Sequence, residues 1–528
     1  KKLLPDLIAI LAFVLLSFAY FFPADIENRI LFQHDTAAGA GAPIDFFHNV
    51  MIKILIVISL YSFLSSCSPS GDIYDTDDNH DVKDEYSQNG QDNDAEDEDS
   101  DSETTDSEED GNSYDVLVSS VSELNSITGL KPGSIVALKD GIYEDSKVSL
   151  RGDGTENEPI VFISETKGGV IFRGKSSMNV YGSHVIIDGF RWENPSPDAS
   201  GYVFKFEKTS SHCVLRNSSI TGTGTEQDAE HDSKWISIYG TGNTVTHCSF
   251  EDKRNIGALC VVWLEKGKPA EHVISYNHFT RPMTLRDSKN SPINGQETIR
   301  IGDSSTSLQD ANCIVEHNYF YHCHGEEGEI ISNKSCGNIY RYNGFHESKG
   351  TLTLRHGNNC KVHDNYFLGN DISSTGGVRI IGEGHVVESN RMEKLGGDGY
   401  KSGLCVVRGE KNNALNGYAP VKSAVVRNNV FIECKLAMHL NYKGSSNQTV
   451  APVGVTISDN TAIAKSSSSY VVKYEKTTIE ADIRWSGNTL YGKFDNNIFG
   501  CKLETVKPDI PENKYDMDKI RANAGIVD

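Results

Sequence analysis

Polar and apolar positions repeat along much of this chain in one short motif. The motif is an apolar residue, two variable residues, an asparagine, one variable residue, and then phenylalanine or another apolar residue. The clear copies are ISYNHF, VEHNYF, YRYNGF, VHDNYF, VESNRM and VRNNVF, with their asparagines at Asn277, Asn318, Asn343, Asn365, Asn390 and Asn429. Weaker copies place Asn217, Asn460 and Asn488 at the same position, and Cys248 takes it in VTHCSF. Successive copies lie 22 to 41 residues apart, which is typical of a solenoid whose coils differ by loop insertions.

Each copy predicts a short strand and a turn. β-branched and aromatic residues surround the asparagines, Gly, Asn, Ser or Asp bound each copy, and long helical periodicity is absent. We therefore predict an all-β fold, a right-handed single-stranded parallel β-helix. One asparagine per coil would form an internal hydrogen-bonded ladder. Cysteines such as Cys213, Cys248, Cys313 and Cys360 lie in or beside the strands without metal-ligand spacing, so we interpret them as small buried apolar groups.

The N-terminal part of the chain differs in composition from the repeats. Residues 1–50 contain a hydrophobic run, Leu7 to Phe22, which we interpret as a fused or misassembled reading frame or, alternatively, as a membrane helix. Residues 51–67 show the order of a bacterial lipoprotein signal peptide: Lys53, an apolar run, and LSSC ending at Cys67. Lipidation of Cys67 would anchor the protein in the outer membrane, facing the periplasm or the cell surface.

An acidic segment separates this signal from the repeats. Between Asp72 and Asp110 there are 19 acidic residues and one basic residue, a charge of −18 out of the total of −23. Such a segment cannot bury enough apolar surface to fold, so residues 68–113 are predicted to be a disordered linker. The rest of the chain carries −23 + 18 = −5, which does not argue against an anionic substrate. The folded domain is predicted at residues 114–528.

One polar cluster within the repeats predicts chemistry. Glu327 and Glu329 are two residues apart and would face the same side of a strand, Lys334 follows them in the same coil, and Arg355 with His356 lies one coil later. Paired carboxylates on a solvent-facing side need a counter-ion, and calcium is the natural candidate for oxygen ligands. An amine and a guanidinium beside such an ion suit proton abstraction next to a uronate carboxylate. The pattern therefore indicates β-elimination.

The phrases EGEIISNKS, TLRHGN, NGQETIRIG and GGVRIIGEGH resemble polysaccharide lyase family six, the chondroitinase B and alginate lyase group. The resemblance covers roughly residues 115 to 500. It implies a calcium-assisted lyase with Lys334 as base, Arg355 as acid, and Asn294, Glu327 and Glu329 as calcium ligands. Glu326 adds a third adjacent carboxylate, and tyrosine or water are alternative acids.

Other residues in these phrases are candidates for substrate binding. These candidates, which could bind substrate carboxylates or sulfates, are Arg300, His356, Arg379 and His385. The alternative, which we weigh equally, is that they form structural ion pairs with Glu297, Asp303 or Glu383. The long intervals between Asn277 and Asn318, and between Asn390 and Asn429, could supply loops that wall a groove.

Several functions stay open on the sequence alone. We expect an alginate lyase acting on poly-mannuronate or poly-guluronate; the alternative is a chondroitinase B acting on dermatan sulfate. A β-helix glycoside hydrolase would use two carboxylates but leave Lys334 and Arg355 without a role. A non-catalytic glycan-binding solenoid would not need the polar cluster. The expected partners are an anionic polysaccharide and a membrane through Cys67, with no nucleic acid, for a protein expected to be a monomer.

Overall fold

The computed structural model describes residues 113–222 and 231–526. These residues all belong to one compact unit, which falls within residues 106–528. The hydrophobic segment, the signal peptide with Cys67 and nearly all of the acidic linker lie outside the described residues. Within residues 113–222 and 231–526, no helix has both the length and the apolar character needed to cross a membrane.

Three parallel sheets form the faces of a solenoid, and each strand pairs with the strands one coil before and one coil after it. Sheet A has 14 strands: Val116–Val118, Ile135–Leu138, Ile160–Ser164, Val185–Asp188, Val214–Arg216, Thr244–Thr246, Val273–Ser275, Ile314–Glu316, Ile339–Arg341, Lys361–His363, Val386–Glu388, Val425–Arg427, Val455–Ser458 and Ile483–Ser486. Sheet B has 13: Gly141–Glu144, Val170–Gly174, Arg191–Pro195, Ser219–Thr221, Ser249–Glu251, His278–Arg281, Tyr319–Cys323, Gly344–His346, Tyr366–Leu368, Arg391–Glu393, Val430–Ile432, Thr461–Ile463 and Thr489–Tyr491. Sheet C has 13: Lys147–Asp153, Ser177–Ser183, Tyr202–Phe206, Lys234–Ile238, Cys260–Val262, Ile299–Ile301, Glu329–Lys334, Gly350–His356, Thr375–Ile380, Leu404–Val407, Met438–Tyr442, Tyr470–Tyr474 and Lys493–Asp495. This is the predicted right-handed parallel β-helix.

The remaining elements are short. Gly409–Glu410 and Gln448–Val450 form a small antiparallel pair. In the part of the chain that the structure describes, the helices are Val121–Ser126 and Met517–Ala522, with 3₁₀ turns at Ser304–Thr306 and Gly399–Lys401.

The predicted asparagine ladder runs between sheets A and B. The side-chain amide of Asn277 donates to Asn318 Oδ1 at 3.0 Å, and Asn343 donates to Asn365 in the same way at 2.9 Å. The ladder continues without interruption to Asn488. Each asparagine follows a residue in the left-handed region, for example Tyr276 at φ 55°, and this turns the chain from sheet A into sheet B. The ladder thus satisfies buried polar groups at the tightest turn of every coil.

The prediction that Asn217 is a ladder residue is wrong by one position. Arg216 pairs with Thr246, so Ser218, and not Asn217, is the counterpart of Cys248. Ser218 Oγ accepts from the Phe190 amide at 3.2 Å, as a ladder residue does. Asn217 occupies the left-handed turn position, at φ 48°, and bonds to Asp188. Asparagine suits both the left-handed turn position and the ladder position, so the residue type alone could not determine the register.

The interior is apolar and stacked by coil. Phe250, Phe279, Phe320, Phe345 and Phe367 form one column, with ring centroids 5.4, 5.1, 4.7 and 4.4 Å apart. Cys213, Cys248, Cys313 and Cys360 are buried, unpaired thiols of this core, as predicted. Because the interior is filled, chemistry is left to the outer faces of the sheets.

Candidate active site

Lys334 and Arg355 lie near the ends of two neighbouring strands of sheet C. Lys334 ends its strand and pairs in register with His356 of the next coil, the neighbour of Arg355. The Lys334 ammonium lies 3.8 Å from Oε1 of Glu297, whose side chain is buried. His356 is buried against both cations, and burial, Arg355 and Lys334 together lower its pKa to about 3. The placement of Lys334 and Arg355 in adjacent coils that the repeat predicts is therefore present, and the neutral His356 imidazole lies close to both cations.

Arg355 is held by a loop from the long interval between Asn390 and Asn429. Its guanidinium donates to the carbonyls of Gly417 at 2.8 Å and Asn416 at 3.0 Å, and it lies 4.2 Å from the ring centroid of Tyr418. These contacts fix the plane of the guanidinium. They do not involve a carboxylate.

A cleft opens beside these residues. Both long intervals contribute to its walls, as expected, together with loops that follow the strands of sheet C. Its lining consists of Pro292, Asn294, Glu326, Gly328, Glu329, Arg355, Arg379, Tyr400, Val407, Tyr418, Tyr442, Gly444, Ser445 and Gln448. Two carboxylates, two guanidinium groups and three tyrosines therefore face one open space.

Glu326 is the most perturbed carboxyl group of the cleft. Burial raises its pKa to about 8, and the nearby carboxylates of Glu297 and Glu329 act in the same direction. Its Oε2 accepts from the amide of Gly295 at 2.8 Å. Oε2 of Glu297 is buried without a hydrogen-bond partner. Three carboxyl groups, those of Glu297, Glu326 and Glu329, are therefore crowded together at this edge of the cleft.

The two predicted glutamate ligands differ in their surroundings. Glu329 accepts from Ser332 Oγ at 2.5 Å and forms a close ion pair with Arg379. Glu327 pairs with Arg286 at 2.7 Å and Lys349 at 3.1 Å, outside the cleft lining. Burial acts to raise the pKa of Glu327, but hydrogen bonds from Lys349 and Arg286 outweigh it and lower that pKa.

Oxygen donors suited to a hard cation line the cleft. They are the amide of Asn294 and the carboxylates of Glu326 and Glu329. Among the described residues, no three His, Cys, Asp or Glu side chains already stand in metal-binding geometry. A divalent cation at this edge of the cleft would favour the charged form of Glu326, which burial and the neighbouring carboxylates otherwise disfavour.

The four candidate substrate-binding residues have different positions. Arg379 faces the cleft and stacks on Tyr400 at 5.1 Å, but its partner is Glu329 and not Glu383, which contacts Lys422. Arg300 lies on the outer face of sheet C over Trp263, at 5.1 Å. His356 is buried beside the cleft.

His385 does not reach the cleft, which corrects its prediction as a substrate-binding residue. It is fully buried, its Nδ1 accepts from the Cys360 amide at 3.2 Å, and its Nε2 contacts the Ile381 carbonyl at 3.0 Å. Asn338 Oδ1 accepts from the Cys313 amide in the equivalent way. His385 therefore belongs to a second turn ladder and is structural.

Sequence reasoning did not identify Tyr418 and Tyr442, or the cations that pair with Glu327. Tyr418 and Tyr442 lie far along the chain from the motif, and Arg286 and Lys349 reach Glu327 from other coils. Only the long interval before Asn429 signalled that a loop would come to this site.

The family model described as Chondroitinase B matches residues 118–500. The chain belongs to this family. The predicted resemblance to polysaccharide lyase family six is thereby confirmed, over almost the span that the motifs indicated. No curated protein matches this sequence significantly.

Solved structures of family six resemble the chain over most of the described domain. AlyGC, a family six alginate lyase, is 29% identical with a TM-score of 0.68, covering 78% of this chain and 56% of AlyGC. A mannuronic acid specific family 6 lyase from human gut microbiota is 28% identical with a TM-score of 0.58, covering 70% of this chain and 83% of that enzyme. The alginate lyase AlyF-OU02, solved with G6, is 20% identical with a TM-score of 0.68, covering 78% of this chain and 93% of that chain, and supports the fold alone. The chain spans little more than half the length of AlyGC.

Proposed function

We propose that this protein is a polysaccharide lyase that cleaves alginate by calcium-assisted β-elimination. The observation that carries the proposal is the pairing of Lys334 with the Arg355–His356 strand end, beside a cleft lined by carboxylates. A glycoside hydrolase would use two carboxylates and would give this amine and guanidinium no role. Family membership and the two alginate-cleaving or mannuronate-specific relatives support the substrate class.

The amine of Lys334 is the proposed base. It takes the proton from the carbon next to the uronate carboxylate, and the electron pair left behind forms a carbon–carbon double bond as the glycosidic carbon–oxygen bond breaks. The leaving oxygen takes a proton from Arg355, from a cleft tyrosine such as Tyr418, or from water. Arg355 is held in place by Gly417 and Asn416, so it also orients the sugar at the cleavage point.

Calcium is proposed at the carboxylate edge of the cleft. Asn294 and Glu329 would hold it together with Glu326 or Glu327, the adjacent carboxylates of the same turn. When bound, the cation neutralises the substrate carboxylate and so favours loss of the neighbouring proton. Arg379 positions Glu329 through their ion pair.

The test is product analysis with the full-length protein. Alginate, polymannuronate, polyguluronate and dermatan sulfate would each be incubated with and without a chelator, and the ultraviolet absorbance of the unsaturated product followed. We expect product from the alginate polymers, none after calcium removal, and a loss of at least about 100-fold in Lys334→Ala. Saturated reducing ends without ultraviolet absorbance would instead show a hydrolase.

Dermatan sulfate is the second candidate substrate, because the matching family model carries the description Chondroitinase B. A higher rate on dermatan sulfate than on every alginate polymer would replace alginate as the substrate and leave the elimination chemistry unchanged.

A further inference from the structure

The loop that holds Arg355 contains an asparagine followed by a glycine, Asn416–Gly417. In such a pair the backbone nitrogen of the glycine can attack the side-chain amide carbon of the asparagine, because glycine has no Cβ to hinder the approach. The described residues contain three such pairs: Asn294–Gly295, Asn343–Gly344 and Asn416–Gly417. Their surroundings differ, and their reactivity should differ with them.

Asn416 is placed where the attack has room. It belongs to a run of exposed residues, 411–416, at the tip of the loop. The Gly417 amide donates to the Ala414 carbonyl at 2.8 Å, and this bond must open before the attack. Because both of its partners lie in the same exposed loop, opening it disturbs no buried part of the fold.

Arg355 lies where the reaction creates charge. Loss of the Gly417 amide proton leaves a negative charge that is shared between the Gly417 nitrogen and the Asn416 carbonyl oxygen, since both atoms belong to one conjugated peptide group. That oxygen already accepts from the Arg355 guanidinium at 3.0 Å, and the Gly417 carbonyl accepts from it at 2.8 Å. A cationic donor aimed at developing negative charge lowers the barrier, as an oxyanion hole does.

The other two pairs lack this arrangement. Asn294 is also exposed, but the Gly295 amide donates to Glu326 Oε2 at 2.8 Å, so negative charge there would form beside carboxyl groups. Asn343 is buried in the asparagine ladder, and its side chain is held by Asn365 Oδ1 at 2.9 Å. The three pairs are therefore matched in sequence and differ in local charge and burial.

We propose that Asn416 is a site of spontaneous deamidation. The Gly417 nitrogen forms a bond to Asn416 Cγ, the bond from Cγ to Nδ2 breaks, and the departing nitrogen leaves as ammonia with the proton that the Gly417 amide gives up. Water then opens the resulting ring at one of its two carbonyl carbons, which gives aspartate or isoaspartate at position 416. Neither step needs an oxidant or a reductant.

The product changes the surroundings of Arg355. Its guanidinium now contacts two neutral carbonyls and the ring of Tyr418. A carboxylate on residue 416 would pair with the guanidinium and compete with a substrate carboxylate for the same donors. Isoaspartate would also lengthen the backbone before Gly417 by one carbon. The modification itself is independent of the proposed function, whereas its effect on turnover rests on that function.

Peptide mapping by mass spectrometry tests the site, with the full-length protein incubated in mildly alkaline buffer. We expect conversion at Asn416 to be about 10-fold faster than at Asn294, because one charge-assisted hydrogen bond favours the first pair. Asn343 should not convert. Equal rates at Asn416 and Asn294, or no conversion at Asn416, would overturn the proposal.

Arg355→Gln tests the role of the guanidinium. Conversion at Asn416 should slow about 10-fold in this variant, while conversion at Asn294 stays the same. Faster conversion at Asn416 would show that mobility of the loop, and not the cation, controls the reaction, and would overturn the proposal. Asn343 reports on the fold, because it converts only if the ladder has opened. In that event the comparison of Asn416 with Asn294 in the unmodified protein decides the matter.

Asn416→Asp and Asn413→Asp separate the effect on Arg355 from the proposed function. Both changes add one negative charge to the same exposed loop, but the Asn413 side chain contacts the Ala414 carbonyl instead of Arg355. We expect Asn416→Asp to lower kcat/KM on alginate about 10-fold and Asn413→Asp to leave it unchanged. Full activity in Asn416→Asp would refute the effect on Arg355. Absence of lyase activity in the unmodified protein would refute the proposed function and leave the modification site standing.

Discussion

At the scale of single residues, Glu326 is the carboxyl group that matters most for the proposed cation site. Its carboxyl group is buried near two other carboxyl groups, Glu297 and Glu329, and its pKa is about 8 because burial and these negative neighbours disfavour the charged form. Glu327, the next residue, has two cationic partners and needs no further counter-ion. We therefore propose that Glu326, rather than Glu327, would complete the proposed calcium site.

Glu326→Gln and Glu327→Gln test this assignment. We expect Glu326→Gln to weaken calcium binding about 10- to 100-fold, because it removes a charged donor from the cleft, and Glu327→Gln to change it much less. Isothermal titration calorimetry with calcium measures the affinity independently of activity. The reverse ranking would restore the set Asn294, Glu327 and Glu329 predicted from the motif.

A buried histidine makes the fold sensitive to acid. Burial lowers the pKa of His385 to about 4, although its contacts with the Ile381 and Gly357 backbone oppose this. In the unfolded chain the pKa returns to about 6.5. Below that pH the unfolded chain binds a proton that the folded protein excludes, so stability falls as pH decreases from about 6.5 to about 4.

His385→Asn should remove this loss of stability. Asparagine already performs the same role at Asn338, so the acceptor for the Cys360 amide would be kept. Between pH 6.5 and pH 4 the free energy of unfolding should decrease less in this variant than in the unmodified protein. We expect the difference to be at most about 3 kcal/mol. Urea unfolding at several pH values measures this change. The same pH dependence in His385→Asn and in the unmodified protein would contradict this role of His385.

At the scale of the coil, the asparagine ladder is the element that defines the turn. Asn365 donates to Asn390 Oδ1 and the Tyr340 carbonyl, both at 2.9 Å, and accepts from the Asn343 side chain at 2.9 Å. A buried residue in this position satisfies polar groups in three coils. Its loss would leave several of them without partners.

Asn365→Ala and Asn488→Ala compare the middle and the end of the ladder. We expect Asn365→Ala to lower the free energy of unfolding by about 3 kcal/mol, because buried donors and acceptors lose their partners. Asn488 is the last rung and is only half-buried, so the same change there should have less than half of that effect. Denaturant titration of both variants measures the difference, and equal effects would show that the ladder adds little beyond local turn formation.

At the scale of the whole molecule, the C-terminal residues 504–526 run back over sheet B. The backbone amide of Glu504 donates to the Leu490 carbonyl, Lys514 pairs with Asp364 at 2.9 Å, and the backbone amide of Gly525 donates to the Tyr276 carbonyl. The helix Met517–Ala522 packs on the tyrosines of sheet B, with Met517 buried. This segment therefore ties distant coils together on a face other than that of the cleft.

Met517→Ala should lower stability without lowering activity. We expect a decrease of about 2 kcal/mol in the free energy of unfolding, because the buried side chain leaves a gap against sheet B. The value of kcat should be unchanged, since the cleft lies on sheet C. Lys519→Ala, exposed on the same helix, is the control and should change neither quantity. A drop in kcat with unchanged stability would contradict this division between the faces.

Much of the fold could be predicted from the sequence, because in a solenoid each coil contacts mainly its neighbours. The spacing of the asparagines and the apolar residues therefore predicted parallel strands, the ladder, and the closeness of Lys334 to Arg355. The register could not be predicted correctly at Asn217, because two neighbouring turn positions both accept asparagine. The family resemblance rested on short contiguous sequence motifs, which can be recognised without knowledge of the tertiary structure.

Only the tertiary structure decided which side chains contact one another at the site. Glu327 faces Arg286 and Lys349, Tyr418 reaches Arg355 from a distant loop, and His385 points into a turn. The repeat specifies which coil a residue belongs to. The direction of its side chain depends on loops of irregular length and on charges from other coils, which no local pattern encodes.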